Sequence, residues 1–222
     1  MKKSTLLAEA LSPEGEKFSL FERDGEYTIR VGGLDLMSTR QHASEEKLAE
    51  LACAHIAQAP QARVLIGGLG FGFTLKAVLA AVAPTATVVV AELMPAIVEW
   101  NRHPDYQLAA VALNDPRVSV VLGDVGELIK RHPGSFDAII LDVDNGPEAL
   151  SAAANASLYH RTGLLHTKAA LRPGGCVGYW SAAPDKGFAK LLERVGFRVE
   201  VQSARAHGSS GSWHTLFMGW RL

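Results

Sequence analysis

Residues Val64 to Gly72 read VLIGGLGFG, an apolar run that breaks into glycines at positions 67, 68, 70 and 72. Such a run fits a short buried strand delivering the chain into a tight turn. Thr74 to Val82 reads as the helix leaving that turn. Glycine permits positive φ and lets backbone N–H groups approach a ligand with no Cβ between them. The next apolar run, Ala86 to Ala91, ends at Glu92. A doubly wound sheet sets a carboxylate there, against ribose hydroxyls, roughly twenty residues after the glycines. The pair constrains the chain to an α/β fold around a nucleoside-type ligand.

Spacing separates the chemistries that share glycine turns. A phosphate-gripping loop needs a lysine after its last glycine, but Gly72 is followed by Phe73 and Thr74. The dinucleotide fingerprint counted from Gly68 is met at Gly70 and missed at Phe73. The tighter Gly68-Leu69-Gly70-Phe71-Gly72 form remains, and it resembles motif I of the class I S-adenosylmethionine-dependent transferases. A nicotinamide oxidoreductase is disfavoured by the same count.

Beyond the turn, strand and helix alternate: strands near Thr87–Ala91, Val118–Leu122, Phe136–Leu141 and Cys176–Ser181, with a helix from Pro95 and another over Leu158–Leu171 ended by Arg172-Pro173-Gly174-Gly175. That order predicts a mostly parallel Rossmann-like sheet. Phe197–Gln202 and His214–Trp220, joined by a Gly/Ser-rich loop, predict a terminal antiparallel hairpin. Residues 1–43 form a separate segment in which Phe18–Met37 alternates like a β-hairpin or meander, a lid or dimer element; residues 44–222 form the transferase domain. Ser44 is expected to cap a helix carrying Glu45 and Glu46 in its first turn.

Successive strands end in acids: Glu92, then Asp124, then Asp142 and Asp144. Ligands of open parallel sheets sit beyond those ends, and converging carboxylates repel one another unless a cation lies between them. A sulfonium nucleoside with an amino group suits such a crevice, Glu92 holding the ribose diol and Asp124 the adenine amino group, although Asp124 also reads as a helix cap onto Val125–Ile129. The Asp142-Val143-Asp144-Asn145-Gly146 run fails as a calcium loop, because position twelve falls on Ala153 rather than a glutamate. The eight histidines contain no zinc-binding pair, so no metal is expected. A net charge of −1 with scattered basic residues gives no footprint for nucleic acid. Cys53 and Cys176 belong to no ligand or disulfide spacing. No run is long enough for a membrane span or secretory leader, and the expectation is a cytoplasmic protein.

The succession GGLGFG, VAELMPAIVEWNR, LGDVGELIK, FDAIILDVDNGP and LYHRTGLLHTKAALRPGG resembles the spermidine synthase-like, or aminopropyltransferase-like, branch of the class I transferases over nearly the whole chain. The resemblance implies S-adenosylmethionine or its decarboxylated form as cofactor. It further implies a small-molecule acceptor such as an amine, and a homodimer formed through the N-terminal β-segment. It assigns cofactor binding to Gly67, Gly68, Gly70, Gly72, Glu92, Leu93, Asp124, Val125 and Asp142, and catalysis to Asp142 and Asp144, with Asp142 deprotonating the attacking amine. The departures fall on the acceptor side. The family's D-S-S-D-P stretch is shortened here, and Leu48, Ala49 and Thr39 stand where the family has Tyr, His and Gln contacts. His42, Ser44 and Glu45 are polar candidates for a different acceptor site. Aminopropyl or methyl transfer to a small amine or similar nucleophile is the leading function, with a methyltransferase acting on another substrate, or non-catalytic binding of an adenosyl nucleoside, as the alternatives.

Overall fold

The structure is a computed structural model that describes residues 4–12, 15–106, 108–143 and 157–222. Strand β5 (Arg63–Gly67) is buried at every position after the first, because helices cover both faces of a parallel sheet. It pairs in parallel with β6 (Thr87–Glu92) on one side and β8 (Phe136–Leu141) on the other. Beyond them, β7 (Val118–Leu122) lies parallel to β6 and β9 (Leu171–Ser181) parallel to β8. A hairpin of β10 (Phe197–His207) and β11 (Ser210–Arg221) closes the sheet, β11 running antiparallel to β9. The order β10-β11-β9-β8-β5-β6-β7 is the mostly parallel, hairpin-terminated sheet that the sequence predicts.

Alternation along β5 divides the core in two. Val64 and Ile66 join Ala138 and Ile140 under Leu48 and Leu75, which come from α1 (Ala43–Cys53) and α2 (Phe73–Ala81). Leu65 joins Ile139 and Leu141 on the opposite face, under α5 (Val125–Arg131), α6 (Arg161–Ala170) and α7 (Lys186–Val195). The short helices α3 (Pro95–Arg102) and α4 (Ala110–Leu113) complete the first face. Truncating Leu65, which is wholly buried, carries the usual cavity cost of about 2–5 kcal/mol.

The N-terminal segment is a four-stranded antiparallel meander, β1 (Thr5–Leu11), β2 (Lys17–Arg23), β3 (Glu26–Val31) and β4 (Leu34–Ser38). Its Leu20, Tyr27 and Ile29 are buried in the first core, so the small sheet docks over the glycine turn. Strand β1 exceeds the expected Phe18–Met37 limits. Helix α6 stops at Ala170, and the Arg172–Gly175 stretch is taken up in β9, where pairing jumps from Phe136↔Leu171 to Ala138↔Cys176. The tail hairpin is also longer than expected, since its Gly/Ser-rich stretch is mostly ladder.

Candidate active site

The glycine turn gains its shape from close approach. Gly68 has φ +86°, and a Cβ there would sit 2.4 Å from the carbonyl oxygen of Asp142, a separation that only a residue without a side chain tolerates. Gly68 N–H donates to the carbonyl of Ala91 and Asp142 N–H to that of Gly67, fastening the turn between its two neighbouring strands. Asn101 of α3, almost wholly buried, donates to the carbonyl of Gly70 at 2.8 Å.

A crevice opens beyond the carboxyl ends of β5, β6, β7 and β8. Gly68, Gly70, Glu92, Leu93, Asp124, Val125 and Asp142 all line it. Gly67 and Gly72 stand behind the wall: Gly67 faces Leu141 and Val125, and Gly72, at φ +75°, packs against Ala109 at the start of α2. Phe18, Leu36 and Met37 of the N-terminal sheet form the roof. Asp144 lies outside the described residues.

Glu92 is 7% exposed, and both of its oxygens are engaged. Oε2 accepts from Leu69 N–H and Oε1 from Met94 N–H, each at 2.8 Å. Burial raises its pKa, and the N–H groups of Met94, Leu69 and Leu93 pull it back. Asp124 caps α5 through a single oxygen, Oδ1, which accepts from Gly126 and Glu127 N–H at 2.6 and 3.2 Å. The cap and a ligand contact are therefore compatible, because Oδ2 takes part in neither bond. Asp142 accepts from Thr74 Oγ1 at 3.2 Å. Its pKa is pushed up to about 6 by burial, against the lowering effect of the Thr74 bond.

On the other side of Asp142, α1 differs from its expected start. Its N-cap is His42, with no side-chain cap bond. Ser44 sits inside the first turn and turns to the sheet instead, accepting from Trp180 Nε1 at 3.0 Å and pairing with His214 Nδ1 at 2.8 Å. The His42 ring stacks on Phe73 at 4.3 Å, joining the starts of α1 and α2. Glu45 is held well above the usual carboxylate range, first by burial and then by the neighbouring charges of Asp142 and Glu46. Thr74, Asn101 and His214 had no motif to announce them; the partners that place them here, Asp142, Gly70 and Ser44, lie 31 to 170 positions away.

Comparison with known proteins identifies the family and the fold. The family model for the spermine/spermidine synthase domain matches residues 41–184. Polyamine aminopropyltransferase 2 of Pseudomonas aeruginosa is 33% identical over 164 residues, covering 69% of this chain and 45% of that protein. Putrescine N-methyltransferase 4 of Nicotiana tabacum is 38% identical over 119 residues, covering 52% of this chain and 28% of that protein. The chain thus spans less than half the length of these curated relatives. The crystal structure of spermidine synthase from Thermotoga maritima aligns with a TM-score of 0.77 over 98% of this chain and 72% of its own, at 18% identity, a likeness of fold. The family model covers more than half of the chain, and the chain belongs to the spermine/spermidine synthase domain family.

Proposed function

We propose that this protein is a cytoplasmic aminopropyltransferase that moves an aminopropyl group from decarboxylated S-adenosylmethionine to a small amine, with residues 44–222 as the transferase domain and residues 1–43 as its roof. The observation that carries this reading is the charge of the crevice. Glu16, Glu92, Asp124 and Asp142 line it, and among the described lining residues there is no lysine, arginine or histidine. A cofactor bearing a carboxylate would add a further anion to that wall. The decarboxylated form, with a sulfonium and an ammonium, brings two cations and complements it. When bound, it supplies an electrophilic methylene carbon on a sulfur that leaves as a neutral thioether.

The chain's own residues account for the remainder of the reaction. Glu92 receives the ribose hydroxyls on its remaining lone pairs, Asp124 the adenine amino group, and Gly68 and Gly70 let the backbone close on the nucleoside. Asp142 holds the acceptor ammonium and takes its proton. The freed nitrogen pair forms the new C–N bond while the C–S pair returns to sulfur. A carboxyl with a pKa of about 6 is ionised at neutral pH, yet is a stronger base than an ordinary aspartate. The matched relatives named for aminopropyl transfer and for putrescine N-methylation support an amine acceptor. The N-methyltransferase matches favour methyl transfer from S-adenosylmethionine as the second reading. The same reading includes a homodimer through the N-terminal sheet, whose outer strands expose Leu11 and Leu34.

The deciding experiment supplies 1,4-diaminobutane with either cofactor and identifies products by mass spectrometry. A product heavier by an aminopropyl group, with methylthioadenosine released, is expected from the decarboxylated cofactor alone. Methylated amine formed only from S-adenosylmethionine replaces the first reading with the second, and absence of both products overturns transfer to this amine.

A further inference from the structure

A chain of four hydrogen-bonding groups, buried at Ser44 and His214 and open to solvent at Ser212, plays no part in the chemistry described so far. Trp180 Nε1–H donates to Ser44 Oγ at 3.0 Å, Ser44 Oγ lies 2.8 Å from His214 Nδ1, and His214 Nε2 lies 3.1 Å from Ser212 Oγ. Ser44 is 1% exposed and His214 8%. One direction uses each link singly: indole N–H to Ser44, Ser44 O–H to Nδ1, Nε2–H to Ser212. That order assigns a neutral His214 protonated on Nε2, and burial lowers the His214 pKa in the same sense. A serine–histidine nucleophile is excluded here, because Ser44 is enclosed and its oxygen already accepts from the indole.

The chain's location gives it meaning. In the parallel pairing of β8 and β9, Leu141 lies opposite Tyr179, and both side chains enter the second core. The residues that follow, Asp142 and Trp180, are lateral neighbours at the carboxyl edge and turn to the opposite face. Thr74 of α2 meets Asp142 there, and Ser44 of α1 meets Trp180. Glu45, next after Ser44, feels the charge of Asp142. Asp142, the first turn of α1 with Glu45, and Trp180 thus share the carboxyl edge of the sheet on one face. An ammonium placed there relieves the repulsion between the acids and gains a cation–π contact if it lies within about 6 Å of the ring. Satisfied polar networks fix one geometry where an apolar contact would permit several.

We infer that Ser44 and His214 are positioning residues for the acceptor amine, holding the Trp180 indole and the first turn of α1 around the nitrogen that Asp142 deprotonates. The inference rests on the amine-acceptor reading above. The acceptor class it fits is a primary alkylammonium, whose small charged head enters between the carboxylates while its methylenes lie against the ring.

The test is steady-state kinetics with 1,4-diaminobutane and decarboxylated S-adenosylmethionine, together with calorimetric binding of methylthioadenosine. Ser44→Ala and His214→Ala are each expected to raise the KM for the amine about tenfold, with kcat within about threefold and methylthioadenosine affinity unchanged. His214→Asn, whose Oδ1 can replace Nδ1 as acceptor for Ser44, is expected to return KM to within about threefold of wild type. Trp180→Phe keeps a ring without the donor, and should give an intermediate KM even if the alanine variants fold poorly. Unchanged amine KM in Ser44→Ala and Trp180→Phe overturns the inference. So does a KM that rises only in step with loss of methylthioadenosine affinity, which marks general loosening. A wild-type protein that turns over no amine instead overturns the proposed function, and this inference with it.

Discussion

Glu92 reaches from the end of β6 to the backbone N–H of Leu69 at 2.8 Å, so the acid of the second strand and the glycine turn of the first are one unit. Its other oxygen holds Met94 at the same distance. The carboxylate is therefore a brace for the crevice as well as its proposed ribose ligand, and its removal is expected to act on both.

Glu92→Ala leaves two buried N–H groups without their acceptor. The expected outcome is a loss of about 2–4 kcal/mol in stability and at least a tenfold weaker affinity for methylthioadenosine, about 1.4 kcal/mol. Glu92→Gln keeps one acceptor oxygen and should lie between. Calorimetric titration beside thermal unfolding checks both numbers; full nucleoside affinity in the alanine variant removes Glu92 from ribose binding.

Gly68→Ala adds strain at φ +86° and drives a Cβ to 2.4 Å from the Asp142 carbonyl. The end of β8 must move away, carrying Asp142 with it. The expected result is a loss of more than about 2 kcal/mol and turnover reduced more than nucleoside affinity. Gly134→Ala serves as a control, since its φ of +60° is strained but nothing lies within 4 Å of its Cβ. Equal behaviour of the two variants would show that backbone strain alone, not contact with Asp142, governs the first.

The features legible in the sequence are those written locally. The β5 run, its glycines and the strand-end acids follow from neighbouring residues and from where parallel sheets place their ligands, and the structure brings Gly68, Gly70, Glu92, Asp124 and Asp142 to one crevice. Helix α7 is written just as locally: Asp185 caps it through Phe188 N–H, Gly196 ends it at φ +92°, and Phe188, Leu192 and Val195 share its buried face. Ser44 is a different case. Its serine-before-acids pattern reads as a cap, and the competing partner, His214, is 170 positions away on β11. Only the sheet order brings them together, and local propensity carries no trace of it.

Asp142→Asn separates binding from chemistry. An amide cannot take the amine proton, so turnover is expected to fall at least about a hundredfold while methylthioadenosine affinity stays within threefold. Turnover that survives removes Asp142 from the role of base.

The same carboxyl sets the pH dependence. Its folded pKa of about 6 exceeds the ordinary value of 3.8, so ionised Asp142 is a cost to the folded protein that is present in full above about pH 6. As pH falls from 6 towards 4, the folded state takes up the proton while the unfolded chain stays ionised, and the cost disappears. Asp142→Asn should therefore be more stable than wild type near pH 7.5, by about 3 kcal/mol, with the difference all but gone by about pH 4. Activity runs the opposite way. Protonated Asp142 cannot act as base, so log kcat/KM for the amine should fall with unit slope below about pH 6. Calorimetry of both proteins across pH 4–8 and a wild-type rate profile over the same range test the two halves together. A wild-type rate that stays flat down to pH 4.5, or an asparagine variant less stable than wild type at pH 7.5, contradicts the assignment of a buried, high-pKa base at this position.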